Sequence, residues 1–513
     1  MYPTSSTVAA IVASTTTSDS GVDWSWLTWP FFIGLTISLV HAVIRLTALG
    51  VIPENRRPSS GMAWVLVILL NPTIGFIVWL FLGRTTLGSQ REERQKQADE
   101  NLREVASRQP EPELPDDVPA YLSSALRLSQ GLGGFPAVGS DTISFYPTLP
   151  GAVEAMAADV DRAQRWVHME FYIMAWDEQT APLFEAMARA VGRGVSVKVL
   201  FDHLGTRGLP VYDELKTRLD AADIPWRPML PLQPIRGFGR RPDLRNHRKL
   251  LVVDGEVAFM GSHNMTQPSY NKPKNEQAGR SWVDVSCRVT GRLAMGLDAV
   301  FGTDWFTETG EAAHTEGLST PVPLSGGTEL PLVGQLVPSG PGIVSENNLR
   351  VFTTLIYGAK RRVSLTSPYF VPDESMLYAV TTAALKGIDV ELFVCAEGDQ
   401  FMVHHAQRSY YQALLEAGVR IYLYPAPLVL HAKHFSIDDD VMMIGSSNMD
   451  MRSFGLNYEI SLILHGREAV EGIRVIEDTY RDLSTELTLE QWQDRPWRQR
   501  YLDNVMRLTS AVQ

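Results

Sequence analysis

The chain has 513 residues, of which 45% are hydrophobic and 20% charged, a globular composition that rules out a wholly disordered protein. Its 2 cysteines cannot form a disulfide framework, and 58 acidic against 46 basic residues, a net charge of −12, argue against a nucleic-acid binder while leaving room for a local cationic pocket. At about 100–200 residues per domain the length fits roughly three units, or one duplicated body with an appendage.

The mean hydropathy of −0.06 conceals a polarised chain. Leu27–Ile44 is an uncharged apolar run that continues past Arg45 through Leu46–Ile52, and Met62–Leu82 is a further 21 residues without a charge. Each is long enough to cross the hydrocarbon core of a bilayer, so two membrane helices are expected over 27–82 after a tail at 1–26. A cleaved signal peptide is disfavoured, because no Lys or Arg precedes residue 45. Trp64 and Trp79 flank the second run like an interfacial belt, and Asn71-Pro72 would kink it. His41 within the first run reads as a polar contact between helices. Arg84, Arg91, Arg94, Lys96 and Arg103 follow the second run, against Arg45, Arg56 and Arg57 around the intervening loop. That bias favours a cytoplasmic body.

Residues 83–139 read as a charged and proline-rich neck, broken at Pro110, Pro112, Pro115 and Pro119. The body then repeats itself. An apolar strand at 166–177, an amphipathic helix at 181–194 and a strand at 195–202 recur as 362–373, 374–387 and 388–396. A first half at 140–310, a Gly- and Thr-rich connector at 311–335 and a second half at 336–513 follow. The fold class expected is α/β, a duplicated α-β-α sandwich around a buried, largely parallel sheet. Cys287 and Cys395 lie in apolar strand-like runs and read as buried thiols.

Each half carries His-x-Lys-x-x-x-x-Asp. The first copy is His247, Lys249 and Asp254; the second is His431, Lys433 and Asp438. Gly261-Ser262-His263-Asn264 trails the first and Gly445-Ser446-Ser447-Asn448 the second, with Gly 14 and Asn 17 residues after the His in both. One such motif is a weak signal; two with identical trailing offsets are a strong one. Along a strand His and Lys at i and i+2 share a face, so duplication can bring two imidazoles and two ammonium groups to one seam. Ser262, Asn264, Ser446 and Asn448 are candidate phosphate donors. Such a pocket suits a phosphodiester: the Lys and Asn groups offset phosphoryl charge, one His attacks phosphorus and the other protonates the leaving alkoxide. The Lys pairs supply the neutralisation, so no metal or other cofactor is called for. Glu276, 29 residues after His247, and Glu459, 28 after His431, are candidate His-orienting carboxylates. Asp254 and Asp438 complete the motifs and are counted with His247, Lys249, His431 and Lys433 as candidate catalytic residues, although their places at strand ends before turns also suit a loop-fixing role or pairing with a Lys. His263, His404, His405 and His434 read as supporting or surface residues.

At these residues the sequence resembles the phospholipase D superfamily, and within it bacterial cardiolipin synthases of the phospholipase D type. The resemblance extends to Arg56-Arg57-Pro58-Ser59, Ala63-Trp64 and Pro72, to Ser367–Asp373, to Arg408-Ser409-Tyr410-Tyr411, and to Asn448–Phe454 with Asn457 and Glu459. It implies a phosphatidyl-transferase that condenses two phosphatidylglycerols into cardiolipin and glycerol. By analogy it implies His247 as nucleophile, His431 as general acid, and a multi-pass bacterial plasma-membrane protein without a nucleic-acid partner. The halves diverge after their Asn: Met449-Asp450-Met451-Arg452-Ser453 against Met265-Thr266-Gln267-Pro268-Ser269. An anchored site would meet a two-chain lipid by lateral diffusion. The stretch Trp492–Leu508, with two Trp, a Tyr and four Arg, fits either an amphipathic helix at a lipid surface or a helix packed on the body. Phospholipid hydrolysis, nuclease activity and a catalytically inert membrane scaffold are the competing readings.

Overall fold

The computed structural model describes residues 29–54, 58–83, 88–107, 118–140, 142–231, 243–314, 332–343 and 346–510. The N-terminal tail, Arg56 and Arg57, the prolines at 110, 112 and 115, and most of the expected connector lie outside them. The chain divides into two compact units, Met1–Arg84 and Thr85–Gln513.

In the first unit the helix Trp29–Val51 is the one described helix long and apolar enough to cross a membrane, by length and composition. Met62–Leu82 is not a second straight span. It forms a helix Pro58–Leu70, a second helix Pro72–Val78 and a π turn Trp79–Gly83. Pro72 lacks the N–H that would continue the first helix. Asn71 instead adopts an extended conformation and caps the second, its side chain accepting the Ile74 N–H at 3.1 Å. Residues seven apart in a continuous helix lie ~10 Å apart. Here a Cβ on Gly75 would stand 2.7 Å from Ile68 Cα, so the chain reverses at Asn71 and needs glycine at the crossing. His41 Nε2 meets Thr73 Oγ1 at 2.9 Å, the expected polar contact between helices.

The second unit holds two related sheets. In the first, β2 (Ile143–Tyr146), β3 (Trp166–Phe171), β4 (Ser196–Asp202), β5 (Trp226–Met229), β6 (Lys249–Val253), β7 (Val257–Gly261) and β9 (Ser286–Thr290) run in the order β2-β9-β7-β6-β3-β4-β5. The second contains β10 (Leu332–Ser339), β11 (Arg362–Thr366), β13 (Asp389–Cys395), β14 (Arg420–Tyr424), β16 (His434–Ile437), β17 (Val441–Gly445) and β19 (Glu459–His465), ordered β10-β19-β17-β16-β11-β13-β14. The two orders match strand for strand. β1 (Val138–Ser140) extends the second sheet beyond β10, and β20 (Thr485–Leu487) beyond β14.

The sheets are mixed rather than largely parallel. β3-β4-β5 and β11-β13-β14 are parallel, as strand-helix-strand crossovers require, but β6, β7 and β9 and their counterparts pair antiparallel. The cause is local. Asp254 and Gly255 at φ 55° and 70°, and Asp438 at 49°, close tight turns that fold each motif strand back on the next.

A shared core joins the sheets face to face, with Leu250 and Met260 of the first and Phe393 and Leu462 of the second in one cluster. The helix Arg292–Thr309 contributes Leu293, Leu297 and Phe301 to it. Cys287 and Cys395 are buried free thiols, pushed up to about 12 by burial. The expected neck is part of the body. Arg94 of the helix Ser89–Ser107 donates to the Thr307 and Glu308 carbonyls, and Gln335 of β10 donates to Leu126 of the helix Ala120–Gly131.

Candidate active site

The two motifs meet at a cleft of about 310 Å³ lined by His247 and His431 together with Asn264, Asn448, Tyr172 and Tyr369. Each His stands just before or between short strands that cross to the other half. His247 N–H donates to the Tyr458 carbonyl (2.8 Å) and His431 N–H to the Val283 carbonyl (2.7 Å). β15 (Leu428–Leu430), leading into His431, pairs in parallel with β8 (Ser281–Val283) of the first half.

The orienting carboxylates cross over in the same way. His247 Nδ1 lies 3.0 Å from Glu459 Oε2 and 3.0 Å from the Ser446 carbonyl. A carbonyl only accepts, so Nδ1 carries the hydrogen and the Nε2 lone pair is left for the cleft. His431 Nδ1 lies 2.8 Å from Asp284 Oδ1, which fixes the same tautomer. Glu459 therefore serves the His of the first half and Asp284 that of the second. Glu276 is not at the site: it is exposed and accepts from Gln267 and Ser269.

Asp284 is the residue that motif spacing misses, because the first half inserts a longer loop between Ser262 and its partner strand. A fainter signal exists in the repeat of acid, β-branched residue and Ser, Asp284-Val285-Ser286 against Glu459-Ile460-Ser461. Ser262 Oγ exchanges hydrogen bonds with the Val285 backbone as Ser446 Oγ does with Ile460. That pairing makes the two acids equivalent.

The same bonds remove Ser262 and Ser446 from the phosphate-donor list. Their hydroxyls brace the strand after each motif, and Ser446 also donates to Glu459 Oε2 at 2.5 Å. The glycines before them let the strands touch: a Cβ on Gly261 would stand 2.4 Å from the Val285 oxygen, and one on Gly445 2.4 Å from that of Ile460. Asn264 and Asn448 do line the cleft. Asn264 Nδ2 donates to the Tyr270 hydroxyl at 2.7 Å, and Asn448 Oδ1 is buried with no partner among the described residues. Asp254 and Asp438 sit at the far ends of their strands. Asp254 accepts the backbone N–H groups of Gln164, Arg165 and Trp166 (2.8 Å each), and Asp438 those of Lys360, Arg361 and Arg362 (2.7–3.0 Å). They hold turns.

Lys249 and Lys433 lie under the cleft, each Nζ donating to the carbonyl of its own motif His. Burial, with mutual repulsion added at Lys249, pulls them down to about 7 and about 8. Burial first, then the two ammonium groups, holds His247 well below its ordinary value. Burial also lowers His431, to about 4, against the opposing pull of Asp284. At Asp284 burial is outweighed by His431 and Lys433, which hold it below the usual carboxylate range, while burial pushes Glu459 up to about 7. The cleft thus favours neutral imidazoles and holds the protons of the two Lys side chains less firmly than water does. An arriving phosphodiester anion adds the negative charge that favours a proton on His431.

Two further pairs were not found from spacing. The Tyr172 ring packs edge-on to His247 (4.9 Å between centroids) and Tyr369 to His431 (6.4 Å), each just beyond β3 or β11. Arg245 and Arg452 add fixed charge to the cleft wall. The asymmetric run after Asn448 is structural at Asp450, which caps the helix Met451–Gly455 through the Ser453 N–H. The remaining histidines have other partners: His263 meets Ser286 Oγ, His405 meets Asp503, and His434 lies 3.5 Å from Glu477. His404 Nδ1 accepts the Gly398 N–H.

A family model described as "Cardiolipin synthase, PLD-like domain" matches residues 156–278 and 352–477, and one described as "Phospholipase_D-nuclease N-terminal" matches 34–84. The chain is 31% identical to cardiolipin synthase A of Proteus mirabilis, over 94% of this chain and 97% of that protein. It is 32% identical to the cardiolipin synthase of Geobacillus kaustophilus, over 94% of each. Among solved structures, the phosphatidylserine synthase of Haemophilus influenzae superposes with a TM-score of 0.56 at 14% identity, covering 75% of this chain and 99% of that one, a likeness of fold.

Proposed function

The chain belongs to the cardiolipin synthases of the phospholipase D superfamily, and from that premise we propose how its cleft transfers a phosphatidyl group. His247 Nε2 attacks the phosphorus of one phosphatidylglycerol. The bond to the glycerol headgroup breaks, and His431 Nε2–H gives its proton to the departing alkoxide, releasing glycerol. The primary hydroxyl of a second phosphatidylglycerol then gives its proton back to His431 and attacks phosphorus. The N–P bond breaks and cardiolipin leaves. Lys249, Lys433, Asn264 and Asn448 meet the phosphoryl oxygens. The observation that carries this reading is the crossed pairing of His247 with Glu459 and His431 with Asp284 through Nδ1, which leaves both Nε2 atoms without a partner among the described residues.

The helix Trp29–Val51 anchors the chain in the bacterial plasma membrane, and the segment Pro58–Gly83 enters the same layer as a hairpin turned at Asn71. The body lies on the cytoplasmic side by the bias of Arg84, Lys96 and Arg103. Purified protein with phosphatidylglycerol vesicles tests the reaction: equimolar cardiolipin and glycerol are expected, and both vanish in His247→Ala and His431→Ala. Phosphatidic acid as the main product would overturn transfer in favour of hydrolysis.

A further inference from the structure

We propose that the helices Phe401–Arg408 and Trp497–Arg507 form a docking surface for an anionic phospholipid bilayer at the rim of the catalytic cleft. The surface takes its lipid class from the proposed reaction, but its placement rests on the following geometry alone.

The two faces of Trp497–Arg507 differ sharply. Inward, the buried Asp503 accepts from His405 (2.7 Å), Arg495 (3.1 Å) and Arg408 (3.3 Å), and Met506 packs on the core. Outward, Trp497 and Tyr501 one turn apart are each 66% exposed, and Leu508, on the same face, is 84% exposed. Arg500 and Arg507 flank that stripe on one side and Arg498 on the other, all exposed. A stripe of Trp497, Tyr501 and Leu508, interrupted by the exposed Asn504 and flanked by Arg on both sides, matches the depth profile of an anionic membrane surface. The rings sit at headgroup level and the guanidinium groups meet phosphate. Among the described residues nothing covers it.

The neighbouring helix extends the stripe to the cleft. Phe401 is 63% exposed and Met402 also faces outward, while the adjoining Asp399, Gln400 and Val403 line the cleft with His247 and His431. A bilayer seated on this surface therefore meets the cleft mouth, and a headgroup reaches the two histidines without the lipid leaving the layer. Either sequence-level reading of Trp492–Leu508 is half of this arrangement: one face packs on the body and the other stays free.

The test uses the full chain in phosphatidylglycerol vesicles. Cys287 and Cys395 are buried, so an added surface cysteine takes a spin label selectively. Labels go on Tyr501→Cys and, as a second position, Phe401→Cys. Val475→Cys, exposed on the helix Arg467–Leu483 that covers the other face of the second sheet, is the control. Labels at 501 and 401 are expected to collide more with oxygen than with a water-soluble nickel chelate, and the label at 475 the reverse. Trp497→Ala with Tyr501→Ala should raise the KM for vesicles about tenfold or more and leave turnover of a monomeric short-chain phosphatidylglycerol unchanged. Nickel access at 501 and 401 equal to that at 475 would overturn the proposal. So would label–label broadening at 501, which would mean that a second copy covers the stripe. Deep labels without cardiolipin formation would leave the docking surface standing and remove the proposed reaction instead.

Discussion

The chemistry turns on which acid faces which imidazole. Asp284 and Glu459 each bond the Nδ1 of a His from the opposite half, so in the proposed reaction the pair Asp284–His431 controls the proton given to the leaving group. Asp284→Asn removes the negative charge that opposes the burial effect on His431. The ring then holds its proton less well, so the alkaline limb of the kcat profile moves to lower pH. Turnover should fall by about 10²–10⁴, the usual weight of a positioned acid or its orienter. A donor with p-nitrophenol in place of glycerol needs no proton on departure, and its release by Asp284→Asn should stay near the wild-type rate. A loss of equal size with both donors would place Asp284 outside proton transfer. Glu459 is legible as an orienting acid by its offset from His431, but it bonds His247 of the other half, and the matching offset at Glu276 marks no such acid. Asp284 is not legible, because spacing counts residues and cannot see that the two Ser hydroxyls make equivalent strand contacts.

Elements carried more of their own signal than the site did. The paired strand-helix-strand units were readable from apolar runs and helix-ending glycines, and the structure places them in matching sheet orders. The direction of the motif strands was not readable, since a buried parallel strand and a buried antiparallel one share the same apolar composition. The deciding residues are those at the turns, Asp254-Gly255 and Asp438 with positive φ. Asp254→Ala and Asp438→Ala each strip three backbone N–H groups of their acceptor and put alanine in a left-handed turn. Each should cost about 2–3 kcal/mol of local stability, seen as faster amide exchange at 164–166 or 360–362, with catalysis per folded molecule largely kept. Loss of catalysis at unchanged exchange would return these carboxylates to the reaction. The run 62–82 marks the opposite limit. Its hydropathy is that of one span, while a single Pro72 and the close approach at Gly75 divide it in two.

At the scale of the molecule the duplication explains why neither half is a site alone. Each half supplies one nucleophile-type motif and the acid that orients the other, so a working cleft needs both halves of one chain. Mixing full-length His247→Ala with full-length His431→Ala should therefore restore no cardiolipin formation; recovery would mean that halves of different chains share a site. The sequence made the twofold plan legible through the identical offsets of the two motifs, but not the exchange of strands and acids across the seam, which is long-range pairing that leaves no period. The most direct measurement is a quench of the protein with phosphatidylglycerol labelled in its phosphate, followed by peptide mapping. The account predicts an acid-labile, base-stable label on His247, absent in His247→Ala and still formed from the p-nitrophenol donor in His431→Ala. A label on His431 instead, or full product formation with no labelled histidine, would contradict it.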